Sequence, residues 1–99
     1  MKSIIANINK FFESRVRLGI MSILMIHEKV DFNTLKETLK LTDGNLASHL
    51  RALENKKYIE YSKGFAGRKT QTFYKATKLG KQAFTEHINA LEQLIKEQK

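Results

Sequence analysis

The stretch LKETLKLTDGNLASHLRALENKKYIEY, Leu35 to Tyr61, changes its hydrophobic period twice. Apolar residues recur at helical steps as far as about Lys40, and Leu41-Thr42-Asp43-Gly44-Asn45 then breaks the pattern. A second helical run follows from about Gly44 to Asn55, in which Leu46, Leu50 and Leu53 fall on one side at roughly 100° per residue. Ser48, Arg51, Ala52 and Asn55 therefore face away, with Asn45 and His49 on one flank. Thr42 or Asp43 can accept hydrogen bonds from the free N–H groups that open this helix. From Tyr58 the pattern becomes strand-like. The sequence thus predicts two helices joined by a tight turn, then a strand.

Working outward, Tyr58 to Ser62 and Thr70 to Ala76 are rich in aromatic and β-branched residues, and Gly64 and Gly67 lie between them as turn formers. This predicts a β-hairpin with a basic tip. Thr77 caps a long final helix in which Phe84, Ile88, Leu91 and Ile95, joined by Leu94, repeat at three- and four-residue steps. Upstream, the first helix of the pair spans roughly Asn33 to Lys40, with Thr34-Leu35-Lys36-Glu37 fitting a capping box, after an extended piece around Val30 to Phe32. Ser14 caps a helix from Arg15 to about His27 whose Val16, Ile20, Leu24 and Ile26 suggest burial. Ile4, Ile5, Ile8, Phe11 and Phe12 predict a short amphipathic N-terminal helix. Without proline, repeats or a Gly/Ser linker, residues 1–99 read as one mainly α domain with a small β-hairpin.

Charge is unevenly placed. Between Lys56 and Lys81 eight basic residues face one acid, Glu60, so this quarter of the chain holds nearly all of the +8 net charge. A polyanion fits that concentration, because each neutralised phosphate releases condensed counterions; a solvated lysine surface is the plainer alternative. The absence of cysteine excludes disulfides and thiolate metal sites and suits a reducing cytosol. Asn7, Asn9 and Lys10 interrupt the N-terminal apolar run, so neither a signal peptide nor a membrane span is expected and the chain reads as soluble and cytoplasmic. Ser48 and His49 project about 100° apart on a helix and cannot act as nucleophile and base. His27, His49 and His87 are too scattered for a metal site. No enzyme activity, cofactor or metal is expected.

A helix enters the major groove only if its outward face carries short polar side chains. Asn45 can pair bidentately with adenine, Ser48 and His49 can bond bases or phosphates, and Arg51 can reach the backbone. Thr42, Asp43 and Gly44 lie at the start of that helix, and Arg68, Lys69 and Thr70 at the hairpin tip can meet the adjoining minor groove or its phosphates. Together, the quoted Leu35–Tyr61 stretch, the segment GRKTQTFYKATKLG and the alternation of elements resemble the MarR- and ArsR-type winged-helix transcriptional regulators. The resemblance covers about Arg15 to Phe84. Leu46-Ala47-Ser48-His49-Leu50 matches that family's recognition-helix pattern, Gly67-Arg68-Lys69 its wing tip, and Thr77 to Gly80 the Thr-x-x-Gly that begins its last helix.

The resemblance implies a winged helix-turn-helix fold and a homodimer on a pseudo-palindromic operator of double-stranded DNA, usually as a repressor. Residues 1–13 and 78–99 lie outside the minimal unit, so Ile4, Ile5, Ile8, Phe11, Phe12, Phe84, Ile88, Leu91, Leu94 and Ile95 are the expected dimer contacts. No effector ligand can be read from the residues. Lys57 departs from the family pattern where glycine is common, as does Ala76 where a larger aliphatic residue is common. Two rival readings are a winged helix that binds protein and an RNA-binding module. The first is disfavoured because Asn45, Ser48 and Ala52 offer no large apolar anchor. The second rests on the GxxG match at Gly64-Phe65-Ala66-Gly67, with Phe65 expected to cover the hairpin base or to stack on a nucleobase.

Overall fold

Each α-helix begins where a short polar side chain can accept from a free N–H of the first turn. In the computed structural model, which describes residues 5–98, a 3₁₀ turn (Lys10–Phe12) precedes α1 (Arg15–Ile26), β1 (Val30–Asp31), α2 (Phe32–Leu39) and α3 (Asp43–Asn55). The strands β2 (Ile59–Ala66) and β3 (Lys69–Ala76) and the helix α4 (Lys78–Lys96) complete the order. Ser14 caps α1 by accepting from Arg17 N at 3.3 Å, Thr42 caps α3 from Asn45 N at 3.1 Å, and Thr77 caps α4 from Gly80 N at 2.9 Å. The cap of α2 differs from expectation. Asp31, not Thr34, opens that helix, accepting from Thr34 N at 3.1 Å and from Thr34 Oγ1 at 2.6 Å. The Asp31 carboxylate, three residues upstream of Thr34, takes the cap in place of the hydroxyl of the expected capping box.

Helices α2 and α3 stop in the same way. Lys40 (φ 54°) and Lys57 (φ 66°) are the described non-glycine residues with positive φ. After α2, Lys40 N donates to Glu37 O and Leu41 N to Lys36 O; after α3, Lys57 N donates to Glu54 O and Tyr58 N to Leu53 O. These paired bonds are Schellman closures, which satisfy the last carbonyls of a helix by turning one residue left-handed.

The core lies where one face of each helix meets the sheet. Ile20, Met21 and Leu24 of α1, Leu35 of α2, and Leu46, Leu50 and Leu53 of α3 are buried against Ile59, Tyr74 and Ala76. Removing each such leucine from water contributes about 1.5–3 kcal/mol, so the leucine stripe of α3 fixes which face it turns outward. Ile26, expected inside, is 78% exposed because at about 100° per residue it lies on the side of α1 opposite the buried Leu24.

The sheet order is β1-β3-β2, antiparallel throughout. The extended piece at Val30 is a true strand, pairing Val30 with Tyr74. The hairpin is longer than its composition suggests: β2 and β3 stay paired from Ile59↔Ala76 to Ala66↔Lys69, leaving only Gly67 and Arg68 in the turn. Gly67 sits at φ 66°, the left-handed first position that favours glycine in a two-residue hairpin turn. Gly64 and Gly67 thus lie in a strand and its turn, not between two helices, which removes the context a GxxG loop requires.

The amphipathic stripe near the N-terminus is not one continuous helix. Asn9 interrupts it, its side chain accepting from Phe11 N at 2.9 Å to start the 3₁₀ turn. Phe12, expected at a dimer contact, is 2% exposed, its ring 5.3 Å from Tyr58, 5.3 Å from Phe84 and 5.4 Å from His87. Phe84 is buried in the same cluster. Both aromatic rings are consumed by this chain's own core, because the 3₁₀ turn folds the N-terminal segment back onto the base of α4. Ile4 lies outside the described residues. Ile5, Ile88 and Ile95 are exposed, whereas Ile8, Phe11, Leu91 and Leu94 are half-buried.

Candidate nucleic-acid interface

With Leu46, Leu50 and Leu53 turned inward, α3 presents Thr42, Asp43, Gly44, Asn45, Ser48 and Arg51 to solvent. These residues share one exposed stretch of the cap and helix, as the sequence predicts. Gly44 has open space around the position a Cβ would take, so the backbone at the start of α3 is accessible to a large ligand. Asp43 suits the positive end of the helix dipole and is paired with Lys36 Nζ at 2.8 Å, which balances its charge on this face.

His49 is the exception on this face. It is half-buried, and its Nδ1 accepts a hydrogen bond from Arg17 Nε at 3.2 Å. A guanidinium has only donors, so Nδ1 is unprotonated and the ring proton of the neutral imidazole resides on Nε2. Burial, with the nearby Arg17 charge adding to it, pushes His49 below its ordinary value of 6.5. The residue therefore has one defined donor, Nε2–H.

Arg17 itself was not legible as a site residue. It also donates from Nη1 to Phe11 O at 3.3 Å, and its guanidinium lies 4.1 Å from the centre of the Phe11 ring. A clue did exist: a cation in the first turn of a helix opposes the dipole, so Arg17 needs a partner elsewhere. Its partner is 32 positions away, a separation that no local pattern encodes.

The other half of the expected site is on the hairpin. Arg68, Lys69 and Thr70 are all exposed at its tip. Lys63 Nζ donates to Thr72 Oγ1 at 3.3 Å across the strands, and Lys75 pairs with Glu60 at 3.3 Å nearer the base. The tip cations thus have no acid beside them in either strand.

A joint connects α3, the hairpin and α4. Thr77 Oγ1 donates to Lys57 O at 2.6 Å while accepting from Gly80 N, and Thr77 N donates to Tyr58 O at 3.0 Å. A Cβ on Gly80 would stand 1.9 Å from Tyr58 O. Thr77 and Gly80 are therefore mechanical requirements: one hydroxyl ties two elements, and the glycine lets α4 approach the backbone after α3.

An exposed polar recognition helix followed by a cationic hairpin matches what known proteins show. Residues 16–95 match the family model described as a winged helix DNA-binding domain. The chain belongs to that family. It is 41% identical over 87 residues to the uncharacterized protein MJ0432 of Methanocaldococcus jannaschii, covering 88% of this chain and 95% of that one. The structure of a transcriptional regulator homologue from Pyrococcus horikoshii OT3 superposes with a TM-score of 0.86 at 31% identity, covering 99% of this chain and 95% of that one. MepR, a transcription regulator of the Staphylococcus aureus multidrug efflux pump MepA, shares the fold at a TM-score of 0.66 and 21% identity, over 87% of this chain and 65% of its own. These findings bear out the winged-helix part of the resemblance and make this chain a winged-helix DNA-binding protein, similar to a transcriptional regulator homologue. Among the described residues no helix is long and apolar enough to cross a membrane.

Proposed function

We propose that the chain acts as a homodimer that represses transcription by occupying a pseudo-palindromic operator in double-stranded DNA. In this reading α3 lies in the major groove, where Asn45 and Ser48 contact base edges, His49 donates through Nε2, and Arg51 holds the backbone. Arg68, Lys69 and Thr70 reach the adjoining minor groove or its phosphates. The observation that carries it is the exposed, short polar surface of α3, with all of that helix's leucines turned into the core. No large apolar side chain stands on that surface, which a protein-binding face needs.

The dimer is supported by α4. Ile88, Leu91, Leu94 and Ile95 follow one another at three- and four-residue steps, and two of them are exposed. A two-fold axis through such a seam sets two α3 helices about 34–36 Å apart on one face of the duplex.

Selection of bound duplexes from a random DNA pool tests this directly. The expected result is an inverted repeat with half-sites one helical turn apart. Its affinity should fall with salt at a slope of about −0.9 per phosphate neutralised, or roughly −5 to −9 for six to ten contacts. An enriched sequence without two-fold symmetry, or no enrichment, contradicts the reading.

A further inference from the structure

Phe65 is not at the hairpin base: it is 74% exposed near the tip, in the last part of β2, one strand pair from the turn. Alternation along a strand places Tyr61, Lys63 and Phe65 on one face, with their partners Tyr74, Thr72 and Thr70 from β3. At its base this face enters the core through Ile59, Tyr74 and Ala76, but Tyr61 and Phe65 are exposed. Phe65 makes no aromatic or cation–π pairing among the described residues, unlike Phe73 on the opposite face, which Lys29 covers at 4.7 Å. The wing's only acid, Glu60, is on that opposite face and is paired with Lys75.

An unsupported phenyl ring between Lys63 on its own face and Arg68 in the adjoining turn, with Lys69 on the opposite face of the tip, fits a particular surface. The minor groove of duplex DNA is about 6 Å wide, with sugar walls that are apolar and rims of phosphate. An apolar centre with cations on either side complements it in both respects. An exposed ring there can also enter a base step as a wedge, as apolar side chains of minor-groove proteins do. We infer that Phe65 is such a wedge, entering the minor groove beside the Arg68-Lys69 contact and unstacking one base step in each half-site. The inference rests on the wing lying along duplex DNA, as proposed above.

The chain has no tryptophan, so Phe65→Trp supplies a single emitter at the position in question. The test uses the selected duplex carrying 2-aminopurine at successive positions, with wild type, Phe65→Trp and Phe65→Ala. The expected results are quenching of the tryptophan on duplex binding and brightening of 2-aminopurine at one step per half-site with wild type but not with Phe65→Ala. Phe65→Ala should also bind about tenfold more weakly, with an unchanged salt slope because no charge is lost. Because Phe65 is exposed, the melting temperature of Phe65→Ala should match wild type. If wild type binds duplex with the expected salt slope yet 2-aminopurine stays dark, or Phe65→Ala binds equally well, the wedge is overturned and the proposed function stands. Quenching by single-stranded RNA or by self-association, without duplex, also overturns it. Failure of wild type to bind any duplex removes both.

Discussion

Lys57 occupies a conformation that its side chain disfavours. At φ 66° it closes α3, and a Cβ there costs about 1 kcal/mol or more relative to glycine. The lysine charge beside a helix C-terminus offsets part of that, by about 0.3 kcal/mol or more. Lys57→Gly should therefore stabilise the fold by about 0.5–1 kcal/mol and raise the melting temperature by roughly 2–8 °C in thermal unfolding; no change or a decrease contradicts the strain. The residue was readable as a departure from the family pattern. Lys40, with the same geometry after α2, was not, because its surroundings carry no comparable pattern. Legibility at this scale follows sequence distance. Ser14, Thr42 and Thr77 announce themselves because each bonds an N–H only three residues on. Arg17 and His49 do not, since their meeting depends on how α1 crosses α3.

Among the elements, the N-terminal segment is joined to α4 through a buried histidine. Asn9 N donates to His87 Nδ1 at 2.9 Å, Asn9 Nδ2 donates to Tyr58 OH at 3.3 Å, and Phe12 packs between. His87 is 3% exposed; burial pushes it below its ordinary value of 6.5, with the Glu13 charge opposing that. A proton on Nδ1 would destroy the acceptor. Because the folded state binds this proton less readily than the unfolded one, its stabilisation is full above 6.5 and is lost as pH falls from there towards the lowered folded value. His49 titrates with the same sign. The melting temperature should be lower at about pH 5.5 than at about pH 7.5, and His87→Gln should narrow that difference. An equal drop in the variant would assign the effect to other groups. The apolar period of this N-terminal stretch was legible in the sequence, but its continuity was not: Asn9 reads as a polar position on a helix until its side chain is seen closing a turn.

For the molecule as a whole, periodicity shows that a face must be covered without saying by which chain. The stripe on α4 predicted a partner all along its length, yet Phe84 is covered from within while Ile95 remains 68% exposed. Exposed Ile88 and Ile95 are therefore the positions at which to test assembly. Ile88→Glu with Ile95→Glu should give a concentration-independent monomer mass in sedimentation equilibrium. It should also roughly halve the salt slope on a two-half-site duplex. Ile26→Glu, at an exposed position on the end of α1, serves as the control and should leave both unchanged. A dimer that survives the paired α4 change would place the seam elsewhere.

The close approach of Gly80 to the Tyr58 carbonyl leaves no room for a methyl group at the root of α4. Because Thr77 at that root also bonds Lys57 O, a Gly80→Ala change has to displace the start of α4 together with the backbone that closes α3, so this one missing methyl acts as the keyway on which two helices are seated.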